Sequence, residues 1–322
     1  MDTQHVERLM VIATQHCNAR CRGCDHWRQT KGLLDLESFR QVMTSLCRWG
    51  LRQVIFTGGE CLLHPQLETM AAAARRQGLQ VKVATNGLLL EDLKATLAPW
   101  VDLWTVSLDA LDRATYARVR RLDRFDTIVG QLDALRHAGH PFRVSFLIQH
   151  LNVNQVADFV AHWQTRGAHS VSLLWPDFRG GFGNATAPGI IGDDFHLTPA
   201  DIDHLARVEL PRLVAGKFHE DGFLNWLPEE YDMIIDAMRA NPGFPIRQTR
   251  CAVPYTNMVL HPDGQVGCCF HFPERFAFSP QHGPNEEGFR RLRNTYFFSP
   301  TLFRTRCAPC LQVTLKMADR DL

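Results

Sequence analysis

Three cysteines near the start of the chain form its clearest chemical pattern. Cys17, Cys21 and Cys24 make a C-x3-C-x2-C run directly after the apolar stretch Leu9 to Ala13. Three thiolates this close together suit a thiophilic centre such as an iron–sulfur cluster. A four-iron cluster held by three cysteines keeps an open position on one iron, where chemistry can take place. A zinc knuckle completed by His26 is the alternative that the spacing leaves open.

Glycines and polar residues follow three short apolar runs further along the chain. The runs are Gln53 to Phe56, Gln80 to Ala84 and Leu103 to Val106, and a helical pattern follows each. They predict successive βα units of a parallel sheet, whose carboxyl-terminal strand ends usually carry the functional site. The three runs end in Thr57-Gly58-Gly59-Glu60, Thr85-Asn86-Gly87 and Ser107-Leu108-Asp109. Glycines allow close approach of the backbone to a ligand, and a carboxylate accepts hydrogen bonds from a ligand ammonium.

These motifs, in this order, resemble those of the radical S-adenosylmethionine (radical SAM) enzymes. The resemblance implies a cluster on the three cysteines that binds S-adenosylmethionine. One electron then cleaves this cofactor to methionine and a 5′-deoxyadenosyl radical, which abstracts a hydrogen atom from the substrate. An external reductant such as flavodoxin or ferredoxin is the implied electron donor. The implied cofactor contacts are Gly58, Gly59, Glu60, Asn86, Ser107, Asp109 and Arg120.

The adenine contact is the one departure from the family pattern. The family usually has an aromatic residue just before the third cysteine, and this chain has Gly23 there. Trp27 could supply an aromatic surface or pack in the core. The adenine contact is therefore left unassigned.

Six βα units are predicted in all. The six predicted strands are Leu9–Ala13, Gln53–Phe56, Gln80–Ala84, Leu103–Val106, Phe142–Ile148 and Ser170–Trp175. Six units are too few to close an eight-stranded barrel, so we expect an open, partial (β/α)6 TIM-like barrel, the usual form of the family. We predict three parts of the chain: the barrel at 1–210, an acidic helical connector at 211–245 and a small β-hairpin-containing domain at 246–322.

The last part of the chain carries a second set of cysteines. Cys251 precedes a predicted β-hairpin with Pro262-Asp263-Gly264 at its turn, and Cys268-Cys269 lies on the second strand. Cys307 and Cys310 follow as a C-x2-C pair. Four thiolates from such a set could hold zinc or an iron–sulfur cluster. The spacing resembles the auxiliary-cluster domain called a twitch domain, related to the longer SPASM domain. This resemblance implies a second 4Fe-4S cluster on Cys251, Cys269, Cys307 and Cys310.

Three further cysteines have no ligand role in this scheme. Cys47 is expected to pack in the core. Cys61 follows Glu60, and Cys268 points away from its neighbour on a strand. Cys268, and secondarily Cys61, are candidate hydrogen-atom donors, as in some twitch-type radical SAM epimerases. The alternative for both is a packing role.

Composition excludes several classes of protein. The apolar content of 45% is typical of a soluble globular protein, and a net charge of +1 gives no indication of a nucleic-acid or membrane partner. The sequence has no apolar stretch long enough for a membrane span and no export signal at its start. Its ten cysteines therefore predict metal ligands or thiols in a cytoplasmic protein.

The substrate prediction rests on charge. Between Trp175 and Pro245 the chain has twelve acidic and five basic residues, with Trp226 and Tyr231 among them. An acidic cleft with aromatic faces would suit a cationic, amine-bearing substrate, whereas solvated helix faces are the alternative. We expect epimerisation of a natural-product intermediate such as a sugar, aminoglycoside or nucleoside. The alternatives are its dehydrogenation, epimerisation or cross-linking of a peptide, and a non-catalytic electron carrier. The first strand begins close to the chain start, which favours the small molecule over a leader peptide.

Overall fold

The structure is a computed structural model that describes residues 6–24, 26–28, 32–175, 195–239, 253–269 and 275–277. Its strands are β1 (Arg8–Thr14), β2 (Gln53–Gly58), β3 (Gln80–Thr85), β4 (Leu103–Ser107), β5 (Phe142–Leu147), β6 (Ser170–Leu174), β7 (Asn257–Leu260), β8 (Gln265–Gly267) and β9 (Phe276–Ala277). Its longer helices are α1 (Leu36–Cys47), α2 (Leu67–Arg76), α3 (Leu90–Leu97), α4 (Arg113–Arg120), α5 (Phe125–His137) and α6 (Val156–Thr165). They are followed by α7 (Pro199–His204), α8 (Leu210–Ala215), α9 (Pro228–Arg239) and the short α10 (Val253–Thr256).

All these strands join one sheet in the order β6-β5-β4-β3-β2-β1-β7-β8-β9. Neighbours from β6 to β7 are parallel, and β8 and β9 are antiparallel. The six predicted parallel strands are therefore confirmed, as is an α/β fold. The closure of the sheet into a partial barrel stays a prediction.

The strands are apolar because helices cover them. Val11, Val54, Val83, Val106 and Val144, one from each of the first five strands, have no exposed surface. Strands buried in this way read as continuous apolar runs rather than alternating ones, which is why the sequence revealed them.

Helix starts also follow from local sequence. Asp35 accepts a hydrogen bond from the Ser38 backbone at the start of α1. Thr198 and Asp201 form a reciprocal capping box at the start of α7, with Pro199 at the first helical position.

The predicted hairpin is confirmed, and its position adds information. The turn between β7 and β8 contains Gly264 with a φ of +77°, and the Asp263 carboxylate accepts a hydrogen bond from the Gln265 backbone at 3.0 Å. Strand β7 lies beside β1, so the hairpin extends the main sheet. The predicted domain boundaries stay predictions.

No helix among the described ranges has the length and apolar character needed to cross a membrane. Cys251, Cys307 and Cys310 lie outside these ranges, so the structure describes only Cys269 of the predicted second ligand set.

Candidate functional site

The two glycines at the end of β2 pack directly against the backbone that leads into the cysteine loop (residues 17–24). The Gly59 N–H donates to the Thr14 carbonyl, and the Glu60 N–H donates to the His16 carbonyl, both at 2.8 Å. A Cβ atom at Gly58 would lie 2.2 Å from the Thr14 oxygen, and one at Gly59 would lie 2.3 Å from the His16 oxygen. Any residue other than glycine has a Cβ atom, which cannot lie this close to a carbonyl oxygen. This backbone contact therefore requires glycine at both positions. Their predicted contact with a cofactor stays a prediction.

Glu60 lies at the centre of the strand ends. Its side chain is buried and accepts hydrogen bonds from the Leu62 N–H at 3.1 Å, the Thr85 hydroxyl at 2.7 Å and the Asn86 N–H at 2.7 Å. Burial raises the pKa of Glu60, although these hydrogen bonds act in the opposite direction. The Glu60 carboxylate therefore holds the end of β3 against the end of β2. The predicted contact of Glu60 with a cofactor would be a second role, in addition to this structural one.

Asn86 connects the end of β3 to the cysteine loop. Its Nδ2 donates to the Asn18 side-chain oxygen at 2.8 Å, and its own Oδ1 accepts from the Leu88 N–H at 3.0 Å. Inside the loop, the Ala19 N–H donates to the Cys17 sulfur at 3.4 Å. These contacts bring the predicted residue Asn86 and the predicted ligand Cys17 to the same edge of the sheet.

Arg120 connects the cysteine loop to the end of β4. Its Nη2 lies 2.6 Å from the Asp109 carboxylate, and its Nη1 donates to the Cys21 sulfur at 3.6 Å. Asp109 has a φ of +59° and also accepts from the Leu147 N–H at 2.7 Å. Burial acts to lower the pKa of Arg120, but Asp109 and Cys21 outweigh burial and raise it. The structure thus brings together Asp109, Arg120 and the cysteine loop, which are distant in sequence.

The donor set of the cysteine loop fits an iron–sulfur cluster. All three cysteines are half-buried, and burial raises the pKa of Cys17 to about 11 and that of Cys24 to about 12. Within the described ranges, no group of three His, Cys, Asp or Glu side chains is arranged to hold a single metal ion. A four-iron cluster places each thiolate on a different iron, so its ligands lie further apart than those of one ion. The buried Arg120 cation supplies positive charge for the thiolates that such a cluster requires.

A phenylalanine that sequence reasoning missed covers Gly23. Gly23 has a φ of +70°, and a Cβ atom there would lie 2.3 Å from Cε2 of Phe195. The Phe195 ring therefore occupies the space where a larger residue would project. The absence of a side chain just before the third cysteine was the only sequence signal for this contact. Trp27 lies on the opposite side of Cys24, and its indole N–H donates to the Cys24 carbonyl at 2.9 Å.

The remaining predicted site residues are Ser107, Cys61, Cys268 and Cys269. Ser107 accepts a hydrogen bond from the Ser145 hydroxyl at 3.2 Å. Cys61 is buried in the core, and its S–H donates to the Ala84 carbonyl at 3.2 Å. Cys268 has no exposed surface, whereas Cys269 is half-buried, in agreement with opposite side-chain directions. The hydrogen-donor roles of Cys61 and Cys268 stay predictions, and the burial of both thiols favours the packing alternative.

The aromatic faces expected in the acidic region are absent from the surface. Trp226 is buried and donates its indole N–H to the Leu173 carbonyl at 2.8 Å. Tyr231 is buried and lies 2.6 Å from the His219 ring. Several acids in the region are paired with bases, such as Asp203 with Arg239 at 2.6 Å. The expectation that these two rings line a cleft is therefore wrong, because both fill the interior instead.

Part of the chain matches a known family of proteins. Residues 11–162, just under half of the chain, match the family model of the Radical SAM superfamily. The chain therefore contains a radical SAM domain, and the three cysteines, Gly58, Gly59, Glu60 and Arg120 all lie within it.

Two curated relatives each match less than half of the chain. The chain is similar to GTP 3',8-cyclase of Chlorobaculum tepidum, with 36% identity over 136 residues, which is 40% of this chain and 41% of the relative. GTP 3',8-cyclase of Corynebacterium glutamicum is 36% identical over 162 residues, which is 46% of this chain and 43% of the relative. The matches thus span less than half of the length of these two relatives.

Solved structures share the fold over more of the chain. Streptococcus suis SuiB bound to S-adenosylmethionine covers 93% of this chain and 67% of its own, with a TM-score of 0.66 and 14% identity. anSMEcpe with bound AdoMet and the Kp18Cys peptide covers 91% of this chain and 82% of its own, with a TM-score of 0.64 and 14% identity. At 14% sequence identity, these comparisons show a shared fold and nothing about activity.

Proposed function

We propose that this protein is a radical SAM enzyme that binds a 4Fe-4S cluster on Cys17, Cys21 and Cys24 and cleaves S-adenosylmethionine. One observation carries the proposal: three strand ends meet at the cysteine loop. Gly59 after β2 contacts the backbone that leads into the loop, Asn86 after β3 contacts Asn18 in the loop, and Arg120, paired with Asp109 after β4, contacts Cys21. When bound, the cluster would supply the electron that cleaves the cofactor and so starts hydrogen abstraction from a substrate.

The residues of the chain provide position and charge in this proposal. Glu60 fixes the ends of β2 and β3, so that the strand ends keep one arrangement. Arg120 holds the Cys21 sulfur in place and compensates negative charge on it. Asp109, behind Arg120, fixes the guanidinium plane. These three groups are mostly buried, and a buried charged network of this kind holds its geometry without reorganisation.

The experiment that tests this activity replaces Cys17, Cys21 and Cys24 together by alanine. The reconstituted variant should form no 5′-deoxyadenosine from S-adenosylmethionine under reducing conditions, because the chelating iron is lost. Cys47→Ala is the matched control, since Cys47 lies on α1 away from the loop, and it should keep the activity. Normal 5′-deoxyadenosine formation by the triple variant would exclude the proposed role.

For the substrate we propose a small molecule of the nucleoside or sugar type. The support is the 36% identity to proteins named GTP 3',8-cyclase, which confers no reaction on this chain by itself. An amine-bearing natural-product intermediate remains within this class. Peptide modification is the second candidate, supported by the fold that the chain shares with anSMEcpe bound to a peptide.

The reaction outcome that we propose is epimerisation with Cys268 as the hydrogen donor. The thiyl radical left on Cys268 would then be reduced by one electron from the external reductant, passed through the proposed second cluster, and would take a proton from solvent. Turnover in deuterated water should then place one deuterium on the inverted carbon, since thiol protons exchange with solvent. Cys268→Ala should still make 5′-deoxyadenosine but no epimer. If the variant gives normal product without solvent deuterium, epimerisation by this thiol is excluded. A product two hydrogens lighter than the substrate would support dehydrogenation instead.

A further inference from the structure

One buried side-chain amide lies at the carboxyl-terminal end of β5 with both of its polar atoms unpaired. Gln149 is 1% exposed, and neither its Oε1 nor its Nε2 has a hydrogen-bond partner within the described ranges. Burial of an amide without partners costs free energy, and nearly all buried polar groups in folded proteins are paired. The Gln149 amide therefore keeps its full hydrogen-bonding capacity for a ligand.

Hydrogen bonds fix the backbone on both sides of Gln149. The Ile148 N–H donates to the Leu174 carbonyl at 2.9 Å, which continues the pairing of β5 with β6. The Gln149 N–H donates to Oδ1 of the buried Asn152 at 2.8 Å, and the Asn152 N–H donates to the Gln149 carbonyl at 3.0 Å. Nδ2 of Asn152 donates to the Asp109 carbonyl at 2.9 Å. The fold therefore sets the position from which the Gln149 side chain projects.

Gln149 belongs to the polar face of β5. On the opposite face, Phe146 packs against Phe159 of α6, with ring centroids 4.5 Å apart. Because side chains alternate along an extended strand, Ser145 and Gln149 share the face that α6 does not cover. On that face the Ser145 hydroxyl donates to Ser107, the predicted cofactor contact at the end of β4, at 3.2 Å. The unpaired amide thus lies on the same face of the sheet as a predicted site residue.

The chemistry of a carboxamide limits which ligands satisfy both of its ends. Oε1 accepts and the adjacent Nε2 donates, so the complementary group presents a donor beside an acceptor. A carboxylate or phosphate meets only Nε2, and an ammonium meets only Oε1, so each leaves one buried atom unpaired. In a trans peptide group the N–H and C=O point in opposite directions, so one peptide group cannot meet both atoms. The best match is an uncharged group with an adjacent donor and acceptor.

We propose that the Gln149 amide binds an uncharged donor–acceptor edge of the substrate. The edge belongs either to a lactam nucleobase, where an N–H lies beside a C=O, or to a vicinal diol of a sugar. Glutamine amides pair with the edges of bases in this two-bonded way. The inference rests on the proposed function, in which the substrate is of the nucleoside or sugar type, and it names the group of that substrate that β5 meets.

Calorimetric titration of the reconstituted full chain with inosine, in the presence of S-adenosylmethionine, tests this inference. Inosine carries both a lactam edge and a ribose diol. Gln149→Met keeps an unbranched side chain of similar size but removes both polar atoms, so it should weaken inosine binding about 10- to 100-fold, the effect of two lost hydrogen bonds. Gln164→Met makes the same change at an exposed position on α6 and should leave the inosine affinity unchanged.

Three results of this titration would overturn the proposal. They are no saturable inosine binding by the wild-type protein, equal inosine affinities of the wild-type and Gln149→Met proteins, and a loss of S-adenosylmethionine affinity as large as the loss of inosine affinity. The last result would assign the amide to the cofactor. Formation of 5′-deoxyadenosine by the wild-type protein, measured in parallel, reports the proposed function separately. A wild-type protein that cleaves S-adenosylmethionine but gives one of the three results contradicts this inference alone.

Two analogues distinguish the base from the diol. 1-Methylinosine lacks the lactam N–H, and methyl β-D-ribofuranoside carries the diol without a base. If Gln149 binds the base, Gln149→Met should not change the affinity for 1-methylinosine, and the riboside should not compete with inosine. If Gln149 binds the diol, Gln149→Met should weaken 1-methylinosine as much as inosine, and the riboside should compete. Either result supports the proposal and identifies the edge.

Urea unfolding of the protein without added ligand gives a readout that is independent of activity. Gln149→Met should raise the urea midpoint, because an apolar side chain of similar size replaces an unpaired buried amide. Asn152→Leu is the matched comparison, since the Asn152 amide is paired with backbone groups at both ends, and this variant should lower the midpoint. A lower midpoint for Gln149→Met would show that the amide is paired within the fold, as by a buried water molecule, and would overturn the proposal.

Discussion

At the scale of single residues, Arg120 is the group on which the site depends most. Its side chain is 13% exposed and faces an Asp109 side chain that is 6% exposed. A buried ion pair adds little to the free energy of unfolding compared with an apolar pair of similar volume. Removal of one partner is costly, however, because it leaves the other charge buried and uncompensated. The guanidinium also contacts Cys21, so the same residue connects stability to the cysteine loop.

Arg120→Gln should therefore lower the free energy of unfolding by about 3–5 kcal/mol. Arg113→Gln is the matched control, because Arg113 lies on the same helix as Arg120 and the side chains of its pair with Asp123 are 64% and 61% exposed. Because water and salt screen an exposed pair, its loss should lower the free energy of unfolding far less. Urea unfolding of both variants measures the difference, and equal losses would contradict the burial argument.

At the scale of elements, the cysteine loop depends on one close contact with a distant segment. Gly23 and Phe195 are far apart in sequence, yet a methyl group on Gly23 would overlap the Phe195 ring. The loop can adopt its described path only while position 23 has no side chain.

Gly23→Ala should destabilise the protein by about 1–3 kcal/mol more than backbone strain alone, because it overpacks this contact. Gly139→Ala is the control, since Gly139 has a similar φ of +74° and nothing within 4 Å of its added Cβ. Urea unfolding and iron content after reconstitution are the measurements. In the double variant Gly23→Ala/Phe195→Ala, the ring that the added methyl group overlaps is absent. This variant should therefore recover the share of the stability loss that is due to overpacking. A Gly23→Ala effect no larger than that of Gly139→Ala would contradict the contact.

The hairpin of β7 and β8 should make stability dependent on pH. Burial lowers the pKa of His261 from 6.5 to about 4, with a further lowering by Arg275 and an opposing effect of Asp263. The folded state favours the neutral His261 ring, so the lowered pKa contributes to the free energy of unfolding. This stabilising contribution is fully present above pH 6.5 and is lost as the pH falls towards 4. Between pH 7 and pH 5 the loss should be about 2 kcal/mol. His261→Leu should remove that part of the pH dependence, whereas substitution of the exposed His137 should not. Urea unfolding at both pH values checks this result.

At the scale of the whole molecule, we expect about eight irons per chain, from two four-iron clusters. The first would lie on the cysteine loop, and the second on Cys251, Cys269, Cys307 and Cys310. The triple alanine variant of the cysteine loop should retain about half of the iron, because the second ligand set is intact. Iron and zinc analysis of the reconstituted protein measures this. About four irons with stoichiometric zinc would show that the second site holds zinc.

The sequence by itself determined the local parts of this protein. Apolar runs identified the six parallel strands, and Pro262-Asp263-Gly264 identified the hairpin turn. The three cysteines, taken together with Gly58-Gly59-Glu60 and Ser107-Leu108-Asp109, resemble the pattern of the radical SAM enzymes, and residues 11–162 match the model of that family. These features could be predicted because each depends on residues close together in the chain, where periodicity, turn geometry and ligand spacing act directly.

Only the tertiary structure decided what each site residue contacts. Glu60 meets Thr85 and Asn86, Arg120 meets Asp109 and Cys21, and Phe195 covers Gly23. The sequence also gave no indication that β7 pairs with β1, or that Trp226 and Tyr231 are buried. A sequence pattern shows that a residue is polar, small or apolar. Its partner is selected by the packing of whole elements against each other, and this packing is set by contacts between residues far apart in the chain.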